Sequence, residues 1–190
     1  MQGRIKSMCN PRYASSGIWK NPGPHDAALL VRGSHHVSIE ACFFGAGVAG
    51  YGVGATDGSR GLRVVGCHVE GAGQGGVFLY GNISNHSQPT GATISHNVVR
   101  SSGTILKFVS GIGLHCASWS LVSHNRVEDM PRFGISADQV LPICASMHNI
   151  LEFNVLARTS TETTDTGAIE MSGVAQNSKQ LEDIGWDVRA

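Results

Sequence analysis

The chain is short of almost everything that announces a function. It has no Cys-x-x-Cys pair among its five cysteines, so neither a zinc site nor a dithiol redox motif is indicated. It has no charge excess, with 14 basic and 14 acidic residues, which leaves no electrostatic footprint for nucleic acid and no polybasic arm for lipid headgroups. Lysines are scarce: Lys6, Lys20, Lys107 and Lys179. No run is apolar for long enough to span a bilayer. The first residues, Met1 to Arg12, lack the apolar centre of a signal peptide. Apolar residues at helical spacing are also missing, which argues against alternating strand–helix units and helix-backed horseshoes. Asp57-Gly58 is the sole tight-turn dipeptide of its kind, too little for a series of antiparallel hairpins.

Glycine is plentiful, at 25 residues, and so is repetition. Five segments share one pattern: an apolar residue, two variable residues, Cys or Asn, one variable residue, an apolar residue. They are Ile39–Cys42–Phe44, Val64–Cys67–Val69, Ile94–Asn97–Val99, Val122–Asn125–Val127 and Leu151–Asn154–Leu156. The Cys/Asn positions step by 25, 30, 28 and 29 residues, the signature of one supersecondary unit stacked several times. Each unit holds two extended stretches. One alternates, as in Val37-Ser38-Ile39-Glu40; the other begins near glycine, as in Gly76-Val77-Phe78-Leu79, Gly111-Ile112-Gly113-Leu114 and Gly134-Ile135-Ser136. The expected architecture is all-β: a single right-handed parallel β-helix of about five to six coils over residues 28–190, after an irregular Pro- and Gly-rich segment 1–27. Coils stack about 4.8 Å apart, so Asn97, Asn125 and Asn154 are expected to form an amide ladder. Cys42 and Cys67 continue that column as small buried residues; Cys116 and Cys144 lie in successive repeats where they could meet, and are read as buried thiols. Neither end shows a polar cap, so the chain reads as a piece of a longer protein, poorly stable alone.

The second stretches align on their inward apolar residues, Val77/Leu79, Ile112/Leu114, Ile135/Ala137 and Ile169/Met171. Alternation then places Tyr80, His115, Asp138 and Glu170 on one outer face. Asp129 and Asp165 enter that face from the preceding turns, with Arg132 and Glu162 beside them. Paired carboxylates on one face are what glycosidic bond hydrolysis needs. The same residues also have bland readings. Asp129 and Asp165 suit turns, Asp138 and Glu170 suit a solvated face, and His35, His36 and His124 fit structural positions. Trp119 enters a strand and is expected to pack.

Residues 120–138 and 150–171 carry a resemblance. The coil Asn125-Arg126-Val127-Glu128-Asp129-Met130-Pro131-Arg132-Phe133-Gly134-Ile135, followed by Asp165-Thr166-Gly167-Ala168-Ile169, resembles the right-handed parallel β-helix proteins of the pectate-lyase-like superfamily, and within it the β-helical glycoside hydrolases. The resemblance implies a secreted, carbohydrate-active domain acting on a polysaccharide. Asp165 and Asp129 would be its principal acid pair, Asp138 and Glu170 alternates, and His115, Tyr80, Arg132 and Glu162 substrate contacts. No metal or cofactor, no nucleic acid and no membrane partner is expected. The alternatives are a polysaccharide lyase or epimerase, for which a Ca²⁺ ion would neutralise a uronate and Arg132 would lie beside the groove, and a non-catalytic glycan-binding or structural solenoid.

Overall fold

The computed structural model describes residues 27–81, 87–138, 146–164, 166–171, 179–181 and 184–186. Its strands come in threes. The first three are β1 (Ala27–Arg32), β2 (Ser38–Glu40) and β3 (Phe43–Phe44), followed by β4 (Tyr51–Thr56), β5 (Arg63–Val65) and β6 (His68–Glu70). Next come β7 (Val77–Tyr80), β8 (Thr93–Ser95), β9 (Val98–Arg100), β10 (Ser110–His115), β11 (Leu121–Ser123) and β12 (Arg126–Glu128). The last are β13 (Phe133–Asp138), β14 (Ile150–Glu152), β15 (Val155–Ala157), β16 (Ile169–Met171), β17 (Lys179–Leu181) and β18 (Ile184–Trp186). Every third strand pairs in parallel with the next of its kind. The result is three sheets, each six strands deep: sheet A (β1-β4-β7-β10-β13-β16), sheet B (β2 to β17) and sheet C (β3 to β18). This is a parallel β-solenoid, and the described residues contain no helix.

The core follows from alternation. In sheets B and C the middle residue of each three-residue strand points inward: Val64, Ile94, Val122 and Leu151 in sheet B, Val69, Val99, Val127 and Leu156 in sheet C, all buried. Sheet A contributes Val53, Val77, Ile112 and Ile135 with Ala55, Leu79, Leu114 and Ala137. In-register pairing stacks like on like, as in Val53↔Val77 and Ile112↔Ile135. Burying a Val, Leu or Ile side chain is worth about 1.5–3 kcal/mol, so each coil's inward residues offset part of the ordering cost of its turns.

Three strands per unit, not two, is the main departure from expectation. The stretch carrying the Cys/Asn motif is bent in its middle. The residue before each motif Cys or Asn adopts left-handed backbone: Ala41 (φ 50), Gly66 (φ 63), His96 (φ 57), His124 (φ 56) and Phe153 (φ 54). That reversal splits one apparent strand into sheets B and C.

The Asn ladder forms at this bend as expected. Asn97 Nδ2 donates to Val64 O at 2.9 Å and to Asn125 Oδ1 at 2.9 Å, while Asn97 N donates to the same Asn125 Oδ1 at 3.0 Å. Asn125 repeats the set one coil on, with Ile94 O and Asn154 Oδ1. Each amide therefore ties three successive coils. A second, shorter ladder stands at the bend entering sheet B, where Ser120 N donates to Asn149 Oδ1 at 3.0 Å and Asn149 Nδ2 to Ala117 O at 2.9 Å.

The glycines opening the sheet A strands have a steric cause. A Cβ on Gly111 would stand 2.4 Å from Val127 Cγ1 and 2.9 Å from Gly134 O, and one on Gly76 would stand 2.4 Å from Val99 Cγ2. The chain turns from sheet C to sheet A against the core, and only glycine fits there. Two further expectations need correcting. Cys116 is disulfide-bonded, not a thiol, with its partner outside the described residues. Trp119 is 63% exposed; its left-handed backbone (φ 59) turns it out of the core, where it stacks on His148 at 3.9 Å.

Candidate functional site

Chain length varies at only one place in the cross-section. From sheet B to sheet C the inward residues are always five apart: Ile39 to Phe44, Val64 to Val69, Ile94 to Val99, Val122 to Val127, Leu151 to Leu156. From sheet C to sheet A the step is nine, eight, 13, eight and 13 residues, ending on Val53, Val77, Ile112, Ile135 and Ile169. From sheet A back to sheet B it is 11, 17, 10 and 16, ending on Val64, Ile94, Val122 and Leu151. All of these length differences therefore fall in the connections that flank sheet A.

The outward residues of that face lie in the expected rows. Tyr80, His115 and Asp138 are directly in register on β7, β10 and β13. Phe78, Gly113, Ser136 and Glu170 form the neighbouring row on β7, β10, β13 and β16. The face is not an open floor, however. Phe78 and Ser136 are fully buried, and His115 keeps 7% exposure; Tyr80, Asp138 and Glu170 are half-buried. Alternation tells which side a residue faces, but not whether connecting segments cover that side.

Aromatic rings fill the space above the strands. Tyr51 stacks on Phe78 at 4.7 Å, and Tyr80 on His115 at 5.1 Å with planes 8° apart. Glycine makes this possible: a Cβ at Gly113 would lie 2.3 Å from the Phe78 ring. Burial pushes the His115 imidazole down to about 4, so the ring is neutral at physiological pH. Among the described residues its Nδ1 has no hydrogen-bond partner, and neither has the hydroxyl of fully buried Tyr51. Burial, reinforced by the negative charge of Asp138, drives the Tyr51 hydroxyl far above the usual phenol range.

The remaining candidates fall elsewhere. Asp129 lies at the bend leaving sheet C, in left-handed backbone (φ 53), in a column with Gly71, Ser101 and Arg158. Both its oxygens accept from the Arg158 guanidinium, Nη2 to Oδ2 at 3.0 Å. That hydrogen bonding, aided by the charges of Arg158 and Arg100 and partly offset by desolvation, holds its carboxyl below the usual carboxylate range. The shift suits an anion and opposes a proton donor. Six-residue β13 separates Asp129 from Asp138, a span of about 16 Å at strand rise. Arg132 is buried, its guanidinium carbon 3.8 Å from the centre of the Phe108 ring and 4.5 Å from that of Phe133. Glu162 is exposed and paired with Lys107 at 2.8 Å. Asp165 lies outside the described residues, so its distance from Asp129 is not described. Among the described candidates, Asp138 and Glu170 come closest to a pair. Glu170 is in register with Ser136, two residues before Asp138, a diagonal step of about 8 Å between Cα atoms.

Three further exposed rings form a ladder. His96 stacks on His124 at 4.9 Å with planes 2° apart, and His124 meets Phe153 at 5.1 Å. Among the described residues no three metal-ligating side chains cluster. No protein-family model, no curated protein and no solved structure matches this chain.

Proposed function

We propose that this chain is a carbohydrate-active β-solenoid of the pectate-lyase-like kind, secreted, acting on a polysaccharide as a glycoside hydrolase through the outer face of sheet A. The observation that carries the reading is the row Tyr80–His115–Asp138 with Glu170 one diagonal step away, on the one sheet whose flanking segments vary in length. In this reading Asp138 is the acid. It is in register with His115 in the row that includes Tyr80. Glu170 is the base that activates water. A diagonal step leaves room for that water and favours the inverting geometry, in which the carboxyls stand about 6.5–9.5 Å apart. Tyr80 supplies a ring edge and hydroxyl to the sugar. Asp129, committed to Arg158, serves the bend, and Asp165 remains a further acid on sequence grounds. The disulfide at Cys116 supports an oxidising, extracellular setting.

A second reading is favoured by the burial of Phe78, Ser136 and His115: a solenoid that binds glycan or serves as structure without catalysis. The lyase reading gains little from Arg132, which is buried with its guanidinium against the Phe108 and Phe133 rings. The test is reducing-sugar release from a panel of neutral and uronic polysaccharides, with and without chelator. Wild-type release is expected to be unaffected by chelator. It should fall about 10²–10⁴-fold in Asp138→Asn and Glu170→Gln and stay near wild type in Asp129→Asn. Unsaturated product abolished by chelator points to a lyase. Binding without turnover, in every variant, overturns the enzyme reading.

A further inference from the structure

We propose that Cys42 and Cys67 are a redox-active pair that closes to a disulfide, stapling the first two coils at the bend between sheets B and C. Both are thiols in this structure. Register fixes their relation. Glu40 pairs with Val65 and Phe43 with His68, so Cys42 and Cys67 are in-register partners between those two pairs. Such partners stand about 4.8 Å apart across parallel strands, inside the roughly 4.4–6.8 Å Cα window a disulfide accepts.

The column itself singles this pair out. At each later step an Asn amide ties one coil to the next, and the last such tie reaches Cys67, whose N donates to Asn97 Oδ1 at 2.8 Å. Between Cys67 and Cys42 no amide is available. The two cysteines occupy that step instead, as in-register neighbours. Cys67 Sγ already leans across the step, donating to Ile39 O of the neighbouring coil at 3.5 Å. Cys42 Sγ donates to Glu40 O at 3.3 Å. A disulfide would replace the missing amide tie with a covalent one. The bonded state of Cys116 shows that a disulfide is compatible with this fold.

The exposure of the two residues orders the chemistry. Cys42 is half-buried and Cys67 is 2% exposed, so a small-molecule disulfide such as oxidised glutathione meets Cys42 first. The Cys42 thiolate attacks one glutathione sulfur, the glutathione S–S bond breaks, and one glutathione thiolate leaves. The Cys67 thiolate then attacks the Cys42 sulfur of the mixed disulfide and expels the second glutathione. Two thiol protons are released, and the two electrons reduce one glutathione disulfide to two thiols. Burial pushes the Cys67 thiol up, so the closing step accelerates as pH rises.

The experiment uses the full chain with its Cys116 disulfide intact. The folded protein is incubated with oxidised glutathione at pH 8, alkylated, digested with trypsin without reductant and weighed by mass spectrometry. The expected result is a cross-linked peptide joining the segments that contain Cys42 and Cys67, two hydrogens lighter than their sum, with loss of both alkylatable thiols. Oxidation should raise the melting temperature by about 5 °C. C42S and C67S should each abolish the cross-link and the shift. Persistent alkylation of both residues, or a stable glutathione adduct on Cys42 with Cys67 still free, overturns the proposal. So does a cross-link from either residue to another cysteine.

Discussion

The Asn bend and the outer face of sheet A are built from the same repeat and obey opposite rules. At the bend, spacing is invariant and each buried amide of Asn97 and Asn125 is fully engaged. On sheet A, spacing varies, rings of different kinds are packed together, and buried polar atoms such as Tyr51 Oη and His115 Nδ1 lack partners among the described residues. Satisfied, periodic groups specify the fold. Unsatisfied, aperiodic groups in the same molecule cost stability, about 1–3 kcal/mol for each buried group, and mark where it departs from mere stacking.

The sharpest way to break this contrast is to damage the bend. Asn125→Ala removes the acceptor for Asn97 N and Nδ2 and the donor to Ile94 O in one stroke. Urea unfolding should show a loss of about 3–5 kcal/mol, because several buried groups are orphaned together. A loss under about 1 kcal/mol means the ladder is decoration.

The sheet A face should show itself through pH. His115 is depressed from its ordinary value of 6.5 to about 4 in the folded state, so between these values the unfolded chain binds the extra proton. The stability this residue contributes is complete above about pH 6.5, falls as pH drops and is gone below about pH 4, on the order of 3 kcal/mol in all. His115→Phe, which keeps the stack on Tyr80, should flatten that part of the stability–pH curve. An unchanged slope would place the imidazole in water.

The smallest effect is expected where the two regions meet. Asp129 belongs by backbone to a bend column and by sequence to the candidate acids. Its ion pair with Arg158 is partly exposed, with 39% and 44% of the two side chains accessible. Asp129→Asn should therefore cost no more than about 1 kcal/mol by thermal melting. A much larger loss would show that the pair holds the turn from sheet C to sheet A.

What could be read before the structure follows the same division. The Asn column and the outward rows of sheet A were legible because stacking turns sequence spacing into spatial register. The third strand was not. The left-handed residue that creates it can be Ala41, Gly66, His96, His124 or Phe153, which share no chemistry. Nor was the commitment of Asp129 to Arg158, a contact across 29 residues that pairs two bend positions one coil apart. The burial of Phe78 and His115 was hidden for a different reason, since alternation carries no information about what covers an outward face. The disulfide at Cys116 escaped because cysteine spacing alone does not distinguish a bond from a buried thiol.

The fixed five-residue step between sheets B and C makes this molecule a ruler with one adjustable joint. Steps of eight to 13 residues into sheet A, and 10 to 17 out of it, leave the registers of the other two sheets untouched. Lengthening a flexible connection costs little, about 0.6 kcal/mol for each doubling. Foreign segments spliced at the sheet A edges would therefore be displayed side by side at a pitch of one coil, about 4.8 Å, on a frame that does not register their length.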